Sequence, residues 1–495
     1  MRALEEMCRA ALSSPPSRPA IEFEKRWITW GEISRLADRL GELIDASDAA
    51  EHAKIAFVAR NSPSAIAAFL GMLAKRCSLR MVYPFQSPQA LARELERAEP
   101  SLVVAEANDY AAPILDLLQA RGIAAIALQT EMDANACPGL ERTRHTGDNP
   151  PPRVEILTSG TTGPPKPFSL SYDMIAQHIV GTQDLPAEIT GEQPAAPPAL
   201  MMFPVSNISG LYSTLPPLLN GQPLLVLERF TVAGWHDHLL RFRPQVSGLP
   251  PAGLQMVLDA DIPVEDLSCL RAMGTGAAPL DPGVKRVFEE RYGVPVLLSY
   301  GATEFCGPVT RMTPELQAAW GEKKWGSVGR ALPGVKLRVI DPESGAELPA
   351  GREGVLEVVS PRIGPNWIRT SDLAVLDEDG FLFIRGRLDG AIMRGGFKIL
   401  PATIEHALLQ HPDISAAAVV GVPDTRLGQV PAAAIELRPG AAALHSSDVE
   451  AYLREHVPAT HIPVAWEFVD ALPRTPSMKV DQPAVRRLFA SHAGT

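Results

Sequence analysis

The sequence predicts a large α/β region followed by a smaller α+β region, and three observations carry that prediction. Short apolar runs alternate with helix-patterned segments through roughly the first 300 residues, as stacked strand–helix units require. Near residue 325 the texture changes to alternating apolar and polar residues broken by Gly and Pro, the pattern of short antiparallel strands. At 495 residues the chain is too long for one hydrophobic core, so several domains or subdomains are expected.

The opening MRALEEMCRAALSSPPSRP carries Glu5 and Glu6 and no continuous apolar stretch, so a surface helix is expected there rather than a signal peptide. KIAFVAR (54–60) and SLVVAEA (101–107) read as strands, PSAIAAFLGMLAKR (63–76) and QALARELERAEP (89–100) as helices. The second helix must stop at Pro100. Such alternation implies a mainly parallel sheet. The pattern returns in a strand at QPLLVLERF (222–230), a helix at HDHLLRF (236–242) and a strand at VPVLLSYG (294–301) that ends in a tight turn. FLFIRGRLDGAIMRGG (381–396) then leads into a helix TIEHALLQH (403–411), a strand SAAAVVGVP (415–423) and a terminal helix near 448–456. The expected division is a domain over 1–386 and a small α+β domain over 387–495, with the boundary near Arg387 to Asp389.

Composition narrows the class of function. Hydrophobic residues make up 46% and charged residues 21%, which is globular rather than disordered. The net charge of −11 disfavours nucleic acid, whose phosphates need Lys and Arg. Cys8, Cys77, Cys137, Cys269 and Cys306 form no CxxC and no His-paired spacing, which argues against structural zinc or a disulfide framework and fits a reducing compartment. No run approaches ~20 apolar residues, so no membrane span is expected, and a soluble, cytoplasmic protein is.

Four segments carry candidate chemistry. ILTSGTTGPPKPF (156–168) has a loop of small hydroxyl residues and glycines suited to clamping phosphate oxygens, with Lys166 adding charge. It is not a Walker A loop, because Lys166 lies between prolines and no helix follows directly; taken alone it also fits a surface turn. SYGATEFCG (299–307) ends a strand at Tyr300 and presents Thr303 and Glu304, oxygen donors that suit Mg²⁺ beside a nucleotide. TSDLAVLDEDGFLFIRGRLDG brings Asp372 and Arg387 as candidate ribose and phosphate contacts, and its DEDG is equally a plain hairpin turn. ALPRTPSMKV places Lys479 on a Pro-rich loop.

In this order and at these separations, the four segments resemble the adenylate-forming family: acyl-CoA synthetases, adenylation domains of nonribosomal peptide synthetases, and luciferases. FPVSNISGL (203–211) resembles the family's substrate-pocket segment and GTGAAPL (274–280) its adenine-side turn. WGSVGRALPG (325–334), IMRGGFKILPATIE (392–405) and AAAVVGVPD (416–424) match as well, so the resemblance covers nearly the whole chain, most weakly before about residue 150. It implies an acyl-CoA synthetase-like fold, with two α/β subdomains and a distorted β-barrel in the large domain and a small mobile lid domain. The implied chemistry is attack of a carboxylate on the α-phosphorus of ATP, followed by displacement of AMP by a thiol, commonly that of coenzyme A.

The resemblance assigns roles residue by residue. Thr158, Ser159, Gly160, Thr161, Thr162, Gly163 and Lys166 would cradle the β- and γ-phosphates. Thr303 would contact the α-phosphate and Glu304 would hold Mg²⁺, with Tyr300, Gly301 and Ala302 beside the nucleotide. Gly276, Ala277, Ala278 and Pro279 would offer backbone to the adenine, and Asp372 would bind the ribose hydroxyls beside Arg387. Lys479 would bridge carboxylate and α-phosphate, where a charge between two anions lowers their repulsion. Asn207, Gly210, Gly274, Gly301 and Gly329 would line the acid pocket, Asp389 would be the lid hinge, and Gly395 and Gly396 would face the pantetheine arm of coenzyme A. Departures from the family pattern are Ser371 in place of the glycine of TGD, Met478 in place of the glycine before the late lysine, Met393 where a lysine is frequent, Asn207 where a histidine or aromatic is frequent, and Pro167 where a small residue is usual. Little effect is expected of Ser371, because Asp372 is retained.

An acyl- or aryl-CoA ligase is the leading expectation and a standalone enzyme loading a carrier protein the runner-up. Amino-acid activation is disfavoured, since a buried ammonium needs a carboxylate and residues 199–215 contain no Asp or Glu. A catalytically degenerate nucleotide-binding module would have lost Lys479, Glu304 or Asp372, and all three are present. A luciferase-like oxygenase shares every segment. Neither the acid nor the oligomeric state is legible.

Overall fold

The computed structural model describes residues 2–490 except 50–52, 145–150, 159–165, 182–196, 389, 395–396, 425–426, 442–443 and 476–477. The chain forms two compact units, Met1–Pro244 and Gln245–Thr495.

The first unit is built on a seven-stranded sheet. Its strand order is Asp133–Ala136, Ala124–Gln129, Leu102–Glu106, Lys54–Val58, Ser78–Val82, Arg153–Thr158 and Lys166–Ser171. The five inner strands are parallel, and an antiparallel strand closes each edge. The inner strands read as continuous apolar runs because both faces are covered. Helix Pro63–Ala74 starts where Ser62 accepts a hydrogen bond from Ala65 N at 3.2 Å. Ile66, Phe69, Leu70 and Leu73 on it are wholly buried, so this helix is a core element and not a surface one. The expected opening helix is Leu4–Leu12, with Leu4, Cys8 and Ala11 turned inward. A second sheet runs Ala199–Met201, Leu224–Val226, Pro19–Phe23, Arg26–Thr29. The strand expected over 222–230 is thus confined to Leu224–Val226.

The second unit carries three sheets. Val246–Gly248, Ala272–Thr275 and Val296–Ala302 are parallel and continue antiparallel into Gly307–Arg311 and Arg330–Ala331. Lys336–Ile340, Glu353–Val359, Ile368–Leu376 and Leu382–Arg387 pair antiparallel in that order. No pairing among the described residues joins the two outer strands, so an open sheet occupies the place of the expected distorted barrel. The third sheet has the order Phe397–Ile399, Ile392–Arg394, Gly428–Leu437, Ile414–Asp424, with Ala465–Val469 parallel to Gly428–Leu437. Ile404, Leu408, Ile414, Val419, Ile435, Val449 and Leu453 make one core on this sheet, and Val420, Ala432, Val485 and Phe489 another. Helices Pro401–Leu409 and Ser446–His456 match the expected ones within a few residues. The latter is not terminal: Gln482–Leu488 follows, capped by Asp481, and seven residues are too few to show a helical period.

Candidate active site

Strand Val296–Ala302 delivers Tyr300 toward the neighbouring antiparallel sheet, where its phenol donates a hydrogen bond to Asp372 Oδ2. Burial, then the Asp372 charge, pushes the Tyr300 phenol well above its ordinary value, so it keeps its proton and stays a donor. Asp372 lies opposite Arg387 in the hairpin register. Arg387 Nη1 stands 3.5 Å from Asp372 Oδ1, and its Nη2 donates to Ser371 Oγ. The hairpin expected from DEDG is present too: Asp377 Oδ1 accepts from the N–H groups of Asp379 and Phe381.

Beyond Ala302 the chain turns through Thr303–Phe305 and leaves Glu304 exposed. Gly301 is required by packing, since a Cβ there would lie 2.5 Å from Gly307 O. Lys479 arrives on a tight turn in which Thr475 N donates to Lys479 O at 2.6 Å and Met478 N to Thr475 O at 2.9 Å. Met478 holds this turn with φ +63, a left-handed conformation that ordinarily selects glycine. Lys479 is exposed. Desolvation and then the Arg387 charge hold its ammonium below the ordinary lysine value, against the opposing pull of Asp372 and Glu304. Three of the four candidate segments, separated by up to 175 positions in the chain (from 304 to 479), thus share one electrostatic neighbourhood.

At the end of Ala272–Thr275, Gly276 has no room for a side chain: a Cβ would meet Ser299 Oγ at 2.6 Å. Ala277 follows with φ +66, and Ala278 and Pro279 lead to Asp281, whose Oδ1 caps helix Pro282–Tyr292. Gly274 is different, since the nearest atom to a Cβ built there is Ser247 O at 3.7 Å and a side chain fits. Gly329 (φ +87) packs against the Arg311 backbone.

In the first unit, Thr158 pairs with Lys166 across the hairpin, and Lys166 is exposed. Ser159, Gly160, Thr161, Thr162 and Gly163 lie outside the described residues, as do Asp389, Gly395 and Gly396. Pro167 sits in the edge strand Lys166–Ser171, where a residue without an N–H is tolerated. Asn207 caps helix Ile208–Leu219 through Oδ1, which accepts from Gly210 N at 2.8 Å. Gly210 cannot carry a side chain, because a Cβ would fall 2.0 Å from Pro204 O.

Two site contacts were not legible in the sequence. The Ser371–Arg387 bond was signalled only by a hydroxyl where the resembled pattern has glycine. His406 Nδ1 lies 3.0 Å from Asp281 Oδ2, and no local pattern announces that pairing across 125 residues. Among the described residues no group of three or more His, Cys, Asp or Glu is clustered. Glu304 with substrate phosphates is nonetheless a fitting Mg²⁺ donor set, since Mg²⁺ is usually held by one or two carboxylates, phosphates and water. No helix among them is long and apolar enough to cross a membrane.

Comparison with known proteins places the chain by family and fold. The model of the AMP-binding enzyme family matches residues 8–365, and that of the AMP-binding enzyme C-terminal domain matches 403–479. An indoleacetate–CoA ligase of Aromatoleum aromaticum is 29% identical over 96% of this chain and 96% of that protein. A sulfoacetate–CoA ligase of Cupriavidus necator is 28% identical over 97% and 95%. Among solved structures, ATP-bound MatB from Rhodopseudomonas palustris superposes with a TM-score of 0.79 over 99% of this chain and 100% of that one, at 24% identity.

Proposed function

The chain belongs to the AMP-binding enzyme family, and from that premise we propose that it joins a hydrophobic carboxylic acid to coenzyme A through an acyl-adenylate. It is an enzyme, an AMP-forming acid–CoA ligase, as the full-length likeness to CoA ligases supports. The observation that carries the reading is the cluster of Tyr300, Asp372 and Arg387, with Lys479 within electrostatic reach of Asp372, Arg387 and Glu304.

In the first half-reaction a carboxylate oxygen bonds to the α-phosphorus of ATP and the bond to pyrophosphate breaks. Positioning and charge neutralisation supply most of the rate of such a transfer. Asp372 and Arg387 hold the ribose, Gly276 to Pro279 border the adenine, Thr303 contacts the α-phosphate, and the loop 158–166 cradles the departing phosphates. Lys479 stands between the two anions. Glu304 would hold Mg²⁺, which when bound would further neutralise phosphate charge. In the second half-reaction the CoA sulfur bonds to the acyl carbon and AMP leaves, with the lid 387–495 turning about Asp389 to bring Gly395 and Gly396 to the pantetheine arm.

Residues 199–215 (ALMMFPVSNISGLYSTL) support a hydrophobic acid, since they hold no Asp, Glu, Lys or Arg. A sulfonate or second carboxylate buried there would lack a cation. The test is pyrophosphate release from a panel of aryl, fatty, alicyclic and sulfonated acids, with and without CoA. Release with hydrophobic acids that CoA accelerates is expected. Preference for sulfonated acids would overturn the substrate class, and turnover needing a carrier-protein thiol would overturn the acceptor.

A further inference from the structure

We propose that Ser371 is a positioning residue of the nucleotide site, fixing the Arg387 guanidinium beside Asp372 before ATP arrives. The inference rests on the proposed function and adds a residue to it. Arg387 is half exposed, with 49% of its side chain open to solvent against 15% for Asp372. An ion pair at 3.5 Å in such a setting is weak and does not by itself hold a long side chain in one rotamer. The Ser371 hydroxyl supplies what the ion pair lacks, because Arg387 Nη2 donates to Ser371 Oγ while Nη1 faces Asp372 Oδ1.

Both partners are themselves tethered. Leu388 N donates to Ser371 O at 2.6 Å, tying the end of Leu382–Arg387 to the strand that bears the serine. Asp372 N donates to Thr370 Oγ1 at 3.0 Å, and Asp372 Oδ2 accepts from Tyr300. A hydroxyl at 371 therefore joins an arginine on one strand to a carboxylate already fixed from two sides. Glycine at this position has no side-chain acceptor, so the guanidinium would lose this tether. Ordering a long side chain beforehand removes a cost from binding, and that benefit appears in nucleotide affinity rather than in the chemical step.

The experiment measures ATP binding by calorimetry, and KM for ATP with kcat, for Ser371→Ala, Ser371→Gly, Ser371→Thr, Arg387→Ala and the double variant Ser371→Ala/Arg387→Ala. Loss of the hydroxyl should raise Kd and KM for ATP about 2- to 10-fold with kcat nearly unchanged, and threonine should restore both. In the Arg387→Ala background, Ser371→Ala should change nothing further, since the serine acts through the arginine. Unchanged affinity in Ser371→Ala, failure of threonine to rescue, or an equal loss without Arg387 would each overturn the proposal. Hydroxyl-dependent ATP binding without pyrophosphate release from any acid would leave it standing and overturn the ligase reading.

Discussion

Lys479 is a cation held where burial and the Arg387 charge both disfavour its charged form. In the proposed mechanism its ammonium is the form that would bridge the two anions, so adenylation should fail as pH rises through a value below the ordinary 10.5. The alkaline limb of kcat/KM for pyrophosphate release reports that value in the free enzyme, and a limb at or above 10.5 would contradict the shift. Lys479→Ala should lower pyrophosphate release about 10²- to 10³-fold while a supplied acyl-adenylate still reacts with CoA; equal loss of both half-reactions would refute that division of labour. The residue before it is strained in a definable way. Met478→Val places a β-branched side chain at φ +63 and should cost at least about 1 kcal/mol in denaturant unfolding. A Val variant as stable as wild type would mean the turn does not hold that conformation in solution.

Asn207 shows how an element's needs can outrank a site's. Its Oδ1 caps helix Ile208–Leu219, so Asn207→Ala should lose about 1 kcal/mol of stability and Asn207→Asp very little. The first effect of substituting it would fall on the helix start, and equal stability of the Ala variant would discount the cap. Helix Pro401–Leu409 carries a pH-dependent element. The Glu405 carboxyl accepts from Val419 N at 2.8 Å, and enclosure by protein raises it from 4.5 to about 7. A carboxyl raised in the folded state keeps its proton there, so its contribution is present below about 4.5 and is lost as pH rises to about 7. Melting temperature should therefore fall across that interval, and Glu405→Gln should flatten the dependence. An unchanged slope would place the titration elsewhere.

At the scale of the molecule, the proposed turning of 387–495 about Asp389 separates the two half-reactions. Asp389→Pro fixes φ at the hinge and should slow thioester formation more than adenylation; wild-type rates for both would remove the hinge assignment. The chain as a whole illustrates what was readable. Continuous apolar runs such as KIAFV and LVVAE identify parallel strands because both faces of that sheet are covered, and a continuous pattern survives any change of neighbour. Helix Gln482–Leu488 and the shortness of Leu224–Val226 escaped, because each is settled by caps and contacts over fewer residues than a period needs.

What the sequence determined by itself is the fold class, the order of the site segments and the chemistry their side chains offer, since periodicity and residue type are local properties. Only the tertiary structure decided that Asp372 faces Tyr300 and Arg387, that Lys479 comes within electrostatic reach of Asp372 and Arg387, and that Asn207 caps a helix. It also decided that Ser371 Oγ accepts a hydrogen bond from Arg387. Hydrogen bonds and Coulomb forces act over a few ångströms in space, and the chain separations they bridge here leave no trace in a local pattern.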